Sequence, residues 1–437
     1  ENLARQIWPA TYADIISQEQ IDYMLNWMYS CETLQKQRAE GHEFYILALD
    51  GHDIGFIALE WVHEAHAVFK REAAQWHIPD WKLQLANADL QGEWQGQWSP
   101  AANGEGPGVL GLQGVIKRAD ATRAHRYLPV GLPQSVRYYV RDALRKGTYS
   151  DVQVKIKGDL AKLPFANPQD GEFRFAGRIQ DVELDYWPRA LQTPQNPPWP
   201  RLHQLTGQLV FDRLSLKLSK ASARVDDARS GLTLNDGDVE IANMANAAVL
   251  NVSAENKGPA SQVLGLVQKS PLDALLSGAL RQTQATGNVQ TRFKLTVPLL
   301  NPINTKVQGT VGLAGNDVRM TPDTPLLEKL QGSVQFTESG FSLNGAQARM
   351  MGGTVRIEGG MRPMPIGSGA PSNEVSLQLR AQGQVTAEGL RQAKELAPLN
   401  EWAKQASGGT SYSAQLGWRQ GQPEFTLQSQ LDGLALN

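Results

Sequence analysis

The sequence is short of cysteine, of long apolar runs and of net charge. Its 437 residues contain one cysteine, Cys31, which excludes an internal disulfide bond and a cysteine-based metal cage. No apolar run reaches the roughly 18 residues that a membrane-spanning helix needs. The 42 basic side chains nearly balance the 44 acidic ones, which argues against nucleic acid as a partner. The chain begins at Glu1 without the basic and apolar segments of a signal peptide.

Motifs for catalysis or metal binding are also scarce. His63-Glu64-Ala65-His66 places its two histidines three residues apart, whereas the zinc-protease motif is His-Glu-x-x-His. The glycine-rich run 104–108 lacks the third glycine of a dinucleotide-binding loop and opens no helix. From motifs alone, we expect no catalytic residue, no bound metal and no cofactor.

The first 62 residues have the pattern of a small α/β unit. Ser17 and Gln20 form a capping-box pattern ahead of apolar residues at helical spacing from Ile21 to Leu34, and Leu3–Trp8 can form a second helix. Two apolar runs within 43–60 flank an Asp-Gly turn and predict a β-hairpin. Because both runs are nearly continuous, we expect this hairpin to be buried on both faces.

From about residue 75 to the end, the pattern is that of strands in an antiparallel sheet. Val152, Val154 and Ile156 alternate with Gln153, Lys155 and Lys157, and several later segments repeat this alternation between turns rich in glycine, asparagine and proline. A period of two predicts strands with one apolar and one polar face. The predicted fold is therefore mainly β.

A weak internal repeat runs through this β-rich region. Helix candidates at 133–146, 271–281 and 398–407 each lead through a glycine turn into an alternating strand. The segment Leu205–Phe211 is also similar to Leu330–Phe336. These echoes predict repeated modules of antiparallel sheet with a few short helices.

The residues alone leave open how the apolar side of this sheet is covered. A closed sandwich would bury it against a second sheet and would serve as a structural scaffold without a ligand. An open groove would instead present it to apolar ligands such as acyl chains. The residues alone favour neither the closed sandwich nor the open groove.

A resemblance to a known family bears on that choice. The segments 118–122, 126–129 and Val136–Leu144 with Gly147 resemble the central region of YhdP-like proteins, large members of the AsmA-like family of Gram-negative envelopes. This implies an elongated, curved β-sheet with an apolar concave face, which crosses the periplasm from an inner-membrane anchor. It also implies phospholipid transport toward the outer membrane, with acyl chains as ligand. The anchor and both membrane contacts would lie in regions missing from this chain.

The resemblance favours the groove, and the alternating register suggests which side chains would line it. These candidate lipid-binding residues are Val152, Val154, Ile156, Phe293, Leu295, Leu416 and Trp418.

Residues 1–62 resemble a different family, namely the N-terminal part of a GNAT-type N-acetyltransferase. That resemblance implies an alternative function, acetyl transfer from acetyl-CoA. The glycine turn that binds the cofactor in that family does not follow the hairpin, and the fitting string Gln430–Ala435 lies at the far end of the chain. We therefore expect a truncated fragment over 1–62, a join over 63–74 and a repetitive β-groove region over 75–437. Truncation, fusion of neighbouring fragments or an assembled open reading frame would explain the join.

Overall fold

The structure is a computed structural model. It describes residues 2–12, 17–39, 42–49, 52–60, 62–72, 75–101, 106–128, 132–192, 197–226, 231–245, 247–275, 278, 280–363, 375–419 and 422–436. The chain divides into a first unit, residues 1–120 with 151–173, and a second unit, residues 121–150 with 174–437.

The first unit begins with three helices and a hairpin. They are α1 (Asn2–Tyr12), α2 (Gln18–Tyr29), α3 (Cys31–Ala39), β1 (His42–Leu49) and β2 (His52–Glu60). The predicted capping box is confirmed, because the Gln20 amide nitrogen donates to Ser17 Oγ and the Ser17 amide donates to Gln20 Oε1. The single helix expected over 21–34 is instead two helices, because Ser30 is extended and its Oγ accepts from the Thr33 amide at 3.2 Å, which starts α3.

The predicted hairpin is confirmed by the antiparallel register of β1 and β2. The expected burial of both its faces is wrong for the described side chains. Tyr45, Ile46 and Leu47 expose 51%, 61% and 55% of their surface, although successive residues of a strand point to opposite faces. A continuous apolar strand needs a layer on each face, whereas the helices bury Ile21 and Leu25 in a small cluster of their own.

The rest of the first unit is antiparallel sheet. Its strands are β3 (Val62–Glu72), β4 (Gln75–Ala86), β5 (Leu90–Ser99), β6 (Val109–Asp120) and parts of β7 (Leu144–Asp159) and β8 (Gly171–Leu184). A 3-10 helix at Leu160–Lys162 lies between β7 and β8. Each of β3, β4 and β5 pairs with the next strand along the chain. β3 thus covers most of the stretch that was expected to be a join.

The second unit contains a longer run of antiparallel strands with short helices between some of them. The helices are α4 (Gln134–Ala143), α5 (Ala260–Gln268), α6 (Leu272–Leu275), α7 (Ala387–Gln392) and α8 (Leu399–Trp402), with 3-10 helices at Ala121–Arg126, Arg189–Leu191, Pro302–Asn304, Lys394–Leu396 and Ala403–Gln405. The further strands are β9 (Leu202–Asp212), β10 (Ser215–Val225), β11 (Thr233–Ile241), β12 (Val249–Pro259), β13 (Gln284–Ala285), β14 (Asn288–Pro298), β15 (Lys306–Arg319), β16 (Leu327–Thr337), β17 (Gly340–Met350), β18 (Gly353–Pro363), β19 (Val375–Thr386), β20 (Ala406–Arg419), β21 (Gln422–Ser429) and β22 (Leu434–Leu436).

The helices mark a regular repeat. α4, α5 and α7 start at residues 134, 260 and 387, which is 126 and 127 residues apart. In the described part of the chain, six strands separate α4 from α5, and six separate α5 from α7 apart from the two-residue β13. The echo between 205–211 and 330–336 falls in equivalent strands, β9 and β16, each 11 residues long.

The predicted fold class is confirmed, since 57% of the chain is strand and the strands are antiparallel with a few short helices. The helix positions are less exact. α6 and α8 occupy only four residues each within the predicted candidates at 271–281 and 398–407. The helices α5 and α7 begin earlier, directly after each long strand, and α5 follows Pro259, whose backbone ends the strand.

Candidate functional site

The register of the second unit aligns apolar side chains across neighbouring strands. Leu295 in β14 pairs with Val252 in β12 and with Val307 in β15, so three aliphatic side chains lie side by side on one face. The row continues away from β14 through residues of β11 to β8, which are Val239, Leu218, Leu209 and Gly177. We call the face that carries this row the apolar face of the second unit.

Two more of the predicted residues share the next row of the apolar face. Phe293 and Trp418 are 125 residues apart in sequence and belong to one unbroken set of paired positions. The intervening members, in strand order, are Gly309, Phe336, Phe341, Met361 and Leu377. The structure describes the backbone of Trp418 but not its side chain.

Leu416 belongs to a third, adjacent row. It pairs with Leu379 in β19 and with Phe425 in β21. Leu343 and Val334 continue this row toward β15. Four predicted residues, Phe293, Leu295, Leu416 and Trp418, therefore lie on the same face of the second unit by register.

The opposite face of these strands is polar. Lys294 and Arg292 alternate with the apolar residues of β14 and are exposed, and Arg292 forms an ion pair of 2.7 Å with Glu255 of β12. Hydrogen bonds to Arg292 and Gln290 lower the pKa of Glu255 although desolvation opposes them, so this carboxylate is ionised and paired. The two faces of the sheet thus differ as sharply as the sequence pattern predicts.

The apolar face is fully buried only near the short helices. One core cluster joins Val355 and Ala348 of the sheet to Leu390 of α7 and Ala403 of the neighbouring 3-10 helix. A second cluster, which includes Val182 and Leu205, packs against Ala121. Phe336, Phe341, Met361 and Leu377 lie outside these clusters and are half-buried. Aromatic and aliphatic side chains farther along the strands of the first cluster therefore keep part of their surface accessible.

The remaining predicted residues belong to the first unit. Val154 exposes 5% of its surface, Val152 and Ile156 are half-buried, and the alternating Gln153 and Lys155 are exposed. Lys155 forms an ion pair of 2.8 Å with Glu172. The alternation predicted for β7 is present. Of the seven predicted residues, three lie in the first unit and four in the second.

Sequence reasoning missed the tryptophan–glycine pairs of the first unit. Trp81 pairs with Gly96 and Trp94 pairs with Gly114 across neighbouring strands. A Cβ atom on Gly96 would lie 2.8 Å from Trp81 Cζ2, and one on Gly114 would meet the Trp94 ring. The glycines thus leave the space that the indole rings occupy. The sequence signal for these pairs was a tryptophan in one predicted strand and a glycine in the next.

A cavity of about 640 Å³ lies in the second unit, near one end of β12, β14 and β15. Thr233, Lys257, Gln290 and Gly312 form one row of the polar face within its lining, and Val289 and Leu313 add a pair from the apolar face. The missing side chain of Gly312 contributes to this hollow, since a Cβ there would have its nearest neighbour at 3.6 Å. This cavity is separate from the predicted residues.

Titratable groups form no recognisable reaction centre in the described residues. No cluster of three or more histidine, cysteine, aspartate or glutamate side chains suited to a metal ion occurs there. The string Gln430–Ala435 leads into strand β22, so its glycine does not open a helix. In the described part of the chain, no helix is long and apolar enough to span a bilayer.

Comparison with known proteins adds a family match. The family model described as YhdP protein matches residues 61–437. The intermembrane phospholipid transporter YhdP of Escherichia coli (strain K12) is 25% identical to the chain over 232 residues. That alignment covers 53% of this chain and 17% of the relative, so the matched part is a small fraction of the curated protein. No solved structure matches the chain.

Proposed function

Because the chain belongs to the YhdP family, we propose that it is a segment of a phospholipid transporter and that its apolar sheet faces hold acyl chains. The observation that carries the proposal is the set of aligned, half-buried apolar rows of the second unit. The curated relative is named an intermembrane phospholipid transporter, which supports the choice of phospholipid as ligand.

The mechanism is passive solvation of the acyl chain. A methylene group that leaves water for an apolar surface gains about 0.8 kcal/mol. Phe293, Leu295 and Leu416 offer such surface in adjacent rows on one face of the sheet. A chain can therefore move from one contact to the next with little change in free energy. No bond is made or broken, so the segment acts without catalysis.

The family match also supports a proposal for the cellular setting. We place the segment in the periplasm, between an inner-membrane anchor and the outer membrane, with membrane contacts made by regions outside this chain. Val152, Val154 and Ile156 are the lipid-contacting residues that we propose for the first unit.

The test is native mass spectrometry with lipid extraction on the purified chain. We expect phospholipid to co-purify at a defined stoichiometry, and to be taken up again from vesicles after delipidation. A protein that is lipid-free on purification and stays lipid-free after incubation with vesicles would instead support a scaffold that binds no ligand.

A further inference from the structure

Two buried polar side chains interrupt the apolar face of the second unit. Asn256 in β12 and Thr291 in β14 occupy paired positions, and each exposes only 8% of its surface. Within the described residues, neither Asn256 Oδ1 nor Thr291 Oγ1 has a hydrogen-bond partner. Burial of polar atoms without partners is costly, so natural proteins rarely retain it without a use.

The same two strands show what this residue pair does elsewhere. Asn251 and Thr296 are also paired across β12 and β14, but they lie on the polar face. There the Thr296 hydroxyl donates to Asn251 Oδ1 at 3.1 Å. An asparagine and a threonine paired across these two strands can therefore form a hydrogen bond with each other. Asn256 Oδ1 and Thr291 Oγ1 do not form one.

The surroundings of Asn256 and Thr291 are apolar. Leu234 and Val311 flank them in the same row. In β14, Phe293 and Val289 lie on either side of Thr291 on the same face. The two oxygen atoms are thus the polar feature of this part of the face.

The repeat places a comparable group at the next helical crossover. Asn256 lies four residues before α5, and Gly383 lies four residues before α7. Gly383 pairs with Tyr412, as Asn256 pairs with Thr291. Tyr412 exposes 7% of its surface, and its hydroxyl also has no hydrogen-bond partner in the described part of the chain. Equivalent positions of two modules therefore both present an unsatisfied polar group.

We propose that Asn256 and Thr291 form a polar site that binds a hydrogen-bond donor, a hydroxyl or an ammonium, on a phospholipid headgroup. The proposal rests on the proposed function, because it supposes that phospholipid occupies the apolar face. The amide oxygen of asparagine only accepts hydrogen bonds, whereas the threonine hydroxyl accepts or donates. A single donor group of the ligand can satisfy both, and phosphatidylcholine has no such donor.

The experiment compares three proteins and three lipids. Delipidated wild type, the variant N256L/T291V and the control N251L/T296V are each incubated with vesicles that contain equal parts of phosphatidylethanolamine, phosphatidylglycerol and phosphatidylcholine with identical acyl chains. Bound lipids are then quantified by native mass spectrometry. The control makes the same chemical change on the same strands but on the polar face.

We expect the wild type and the control to enrich at least one donor-bearing lipid over phosphatidylcholine by about fivefold, the ratio that one net hydrogen bond gives. Enrichment of phosphatidylethanolamine identifies the ammonium as the bound group, and enrichment of phosphatidylglycerol identifies the hydroxyl. N256L/T291V should bind as much lipid in total but lose the preference. It should also fold at least as stably as wild type, because within the described residues Asn256 Oδ1 and Thr291 Oγ1 have no hydrogen bond to lose.

Two results would overturn the proposal and leave the proposed function standing. One is lipid binding by wild type without any preference, and the other is a preference that survives in N256L/T291V. A loss of stability in N256L/T291V without a change in lipid ratio would assign the pair a structural role. Absence of bound lipid from the wild type would instead count against the proposed function itself.

Discussion

A carboxylate in the middle of the apolar face should prevent lipid binding, and Leu295→Asp is the sharpest such change. Leu295 is half-buried between Val252 and Val307 and lies in one of the aligned rows. If it covers about two methylene groups of a bound chain, the lost contact costs about 1.6 kcal/mol at about 0.8 kcal/mol each. Since about 1.4 kcal/mol is a factor of ten, affinity should fall more than tenfold from this contact alone.

The charge adds to that loss. An acyl chain placed against an ionised carboxylate would strip water from it, which is unfavourable without a compensating partner. The control is Gln308→Asp, which introduces the same side chain at an exposed position on the polar face of β15, opposite Lys294. Lipid retention after incubation with vesicles is measured by native mass spectrometry, and folding is followed by circular dichroism.

We expect Gln308→Asp to retain lipid like wild type and Leu295→Asp to lose most of it while keeping the β-sheet spectrum. Equal retention by the two folded variants would refute the assignment of this face to acyl chains. Loss in both variants would point to a general effect of negative charge.

Four further substitutions test the packing of the second unit. Gly309→Val should destabilise the fold by about 1–3 kcal/mol because a Cβ there meets the ring of Phe336. A Cβ at Gly312 meets only the Gln290 carbonyl oxygen at an ordinary contact distance of 3.6 Å, so Gly312→Ala should leave the thermal midpoint nearly unchanged. Val355→Ala removes two methyl groups from a site that is 2% exposed and should cost about 2 kcal/mol in a denaturant titration. Burial raises the pKa of Tyr412 to about 12, so its contribution to stability is present below the ordinary value of about 10 and is lost as the pH rises toward about 12. Tyr412→Phe should remove that alkaline loss and leave neutral-pH stability equal or higher, as read from unfolding midpoints across that range.

The alternation of the strands could be predicted from the sequence because side chains of a strand repeat with a period of two. Val152, Val154 and Ile156 show it, and so does the row of Leu295. The capping box at Ser17 could also be predicted, because it depends on two residues three positions apart in the sequence. Features set by local spacing are therefore the ones that the sequence reveals.

Partners across strands could not be predicted in the same way. The register between β15 and β16 shifts at Asn316, so the alignment of Phe336 with Gly309 depends on an irregularity that the pattern does not encode. Asn256 and Thr291 come together across a crossover that contains α5 and α6. A single sequence offers no measure of that distance, and the polar pair on the apolar face was missed for this reason.

The even number of strands between helical crossovers limits how such a protein can change in length. Neighbouring strands are antiparallel, so one inserted strand would reverse the direction of all later strands. The following crossover would then lie at the opposite ends of the strands. An inserted hairpin adds two strands and leaves every later direction unchanged. Evolution can therefore lengthen or shorten the sheet in steps of a hairpin, or of a whole six-strand module, without redesigning the strands on either side.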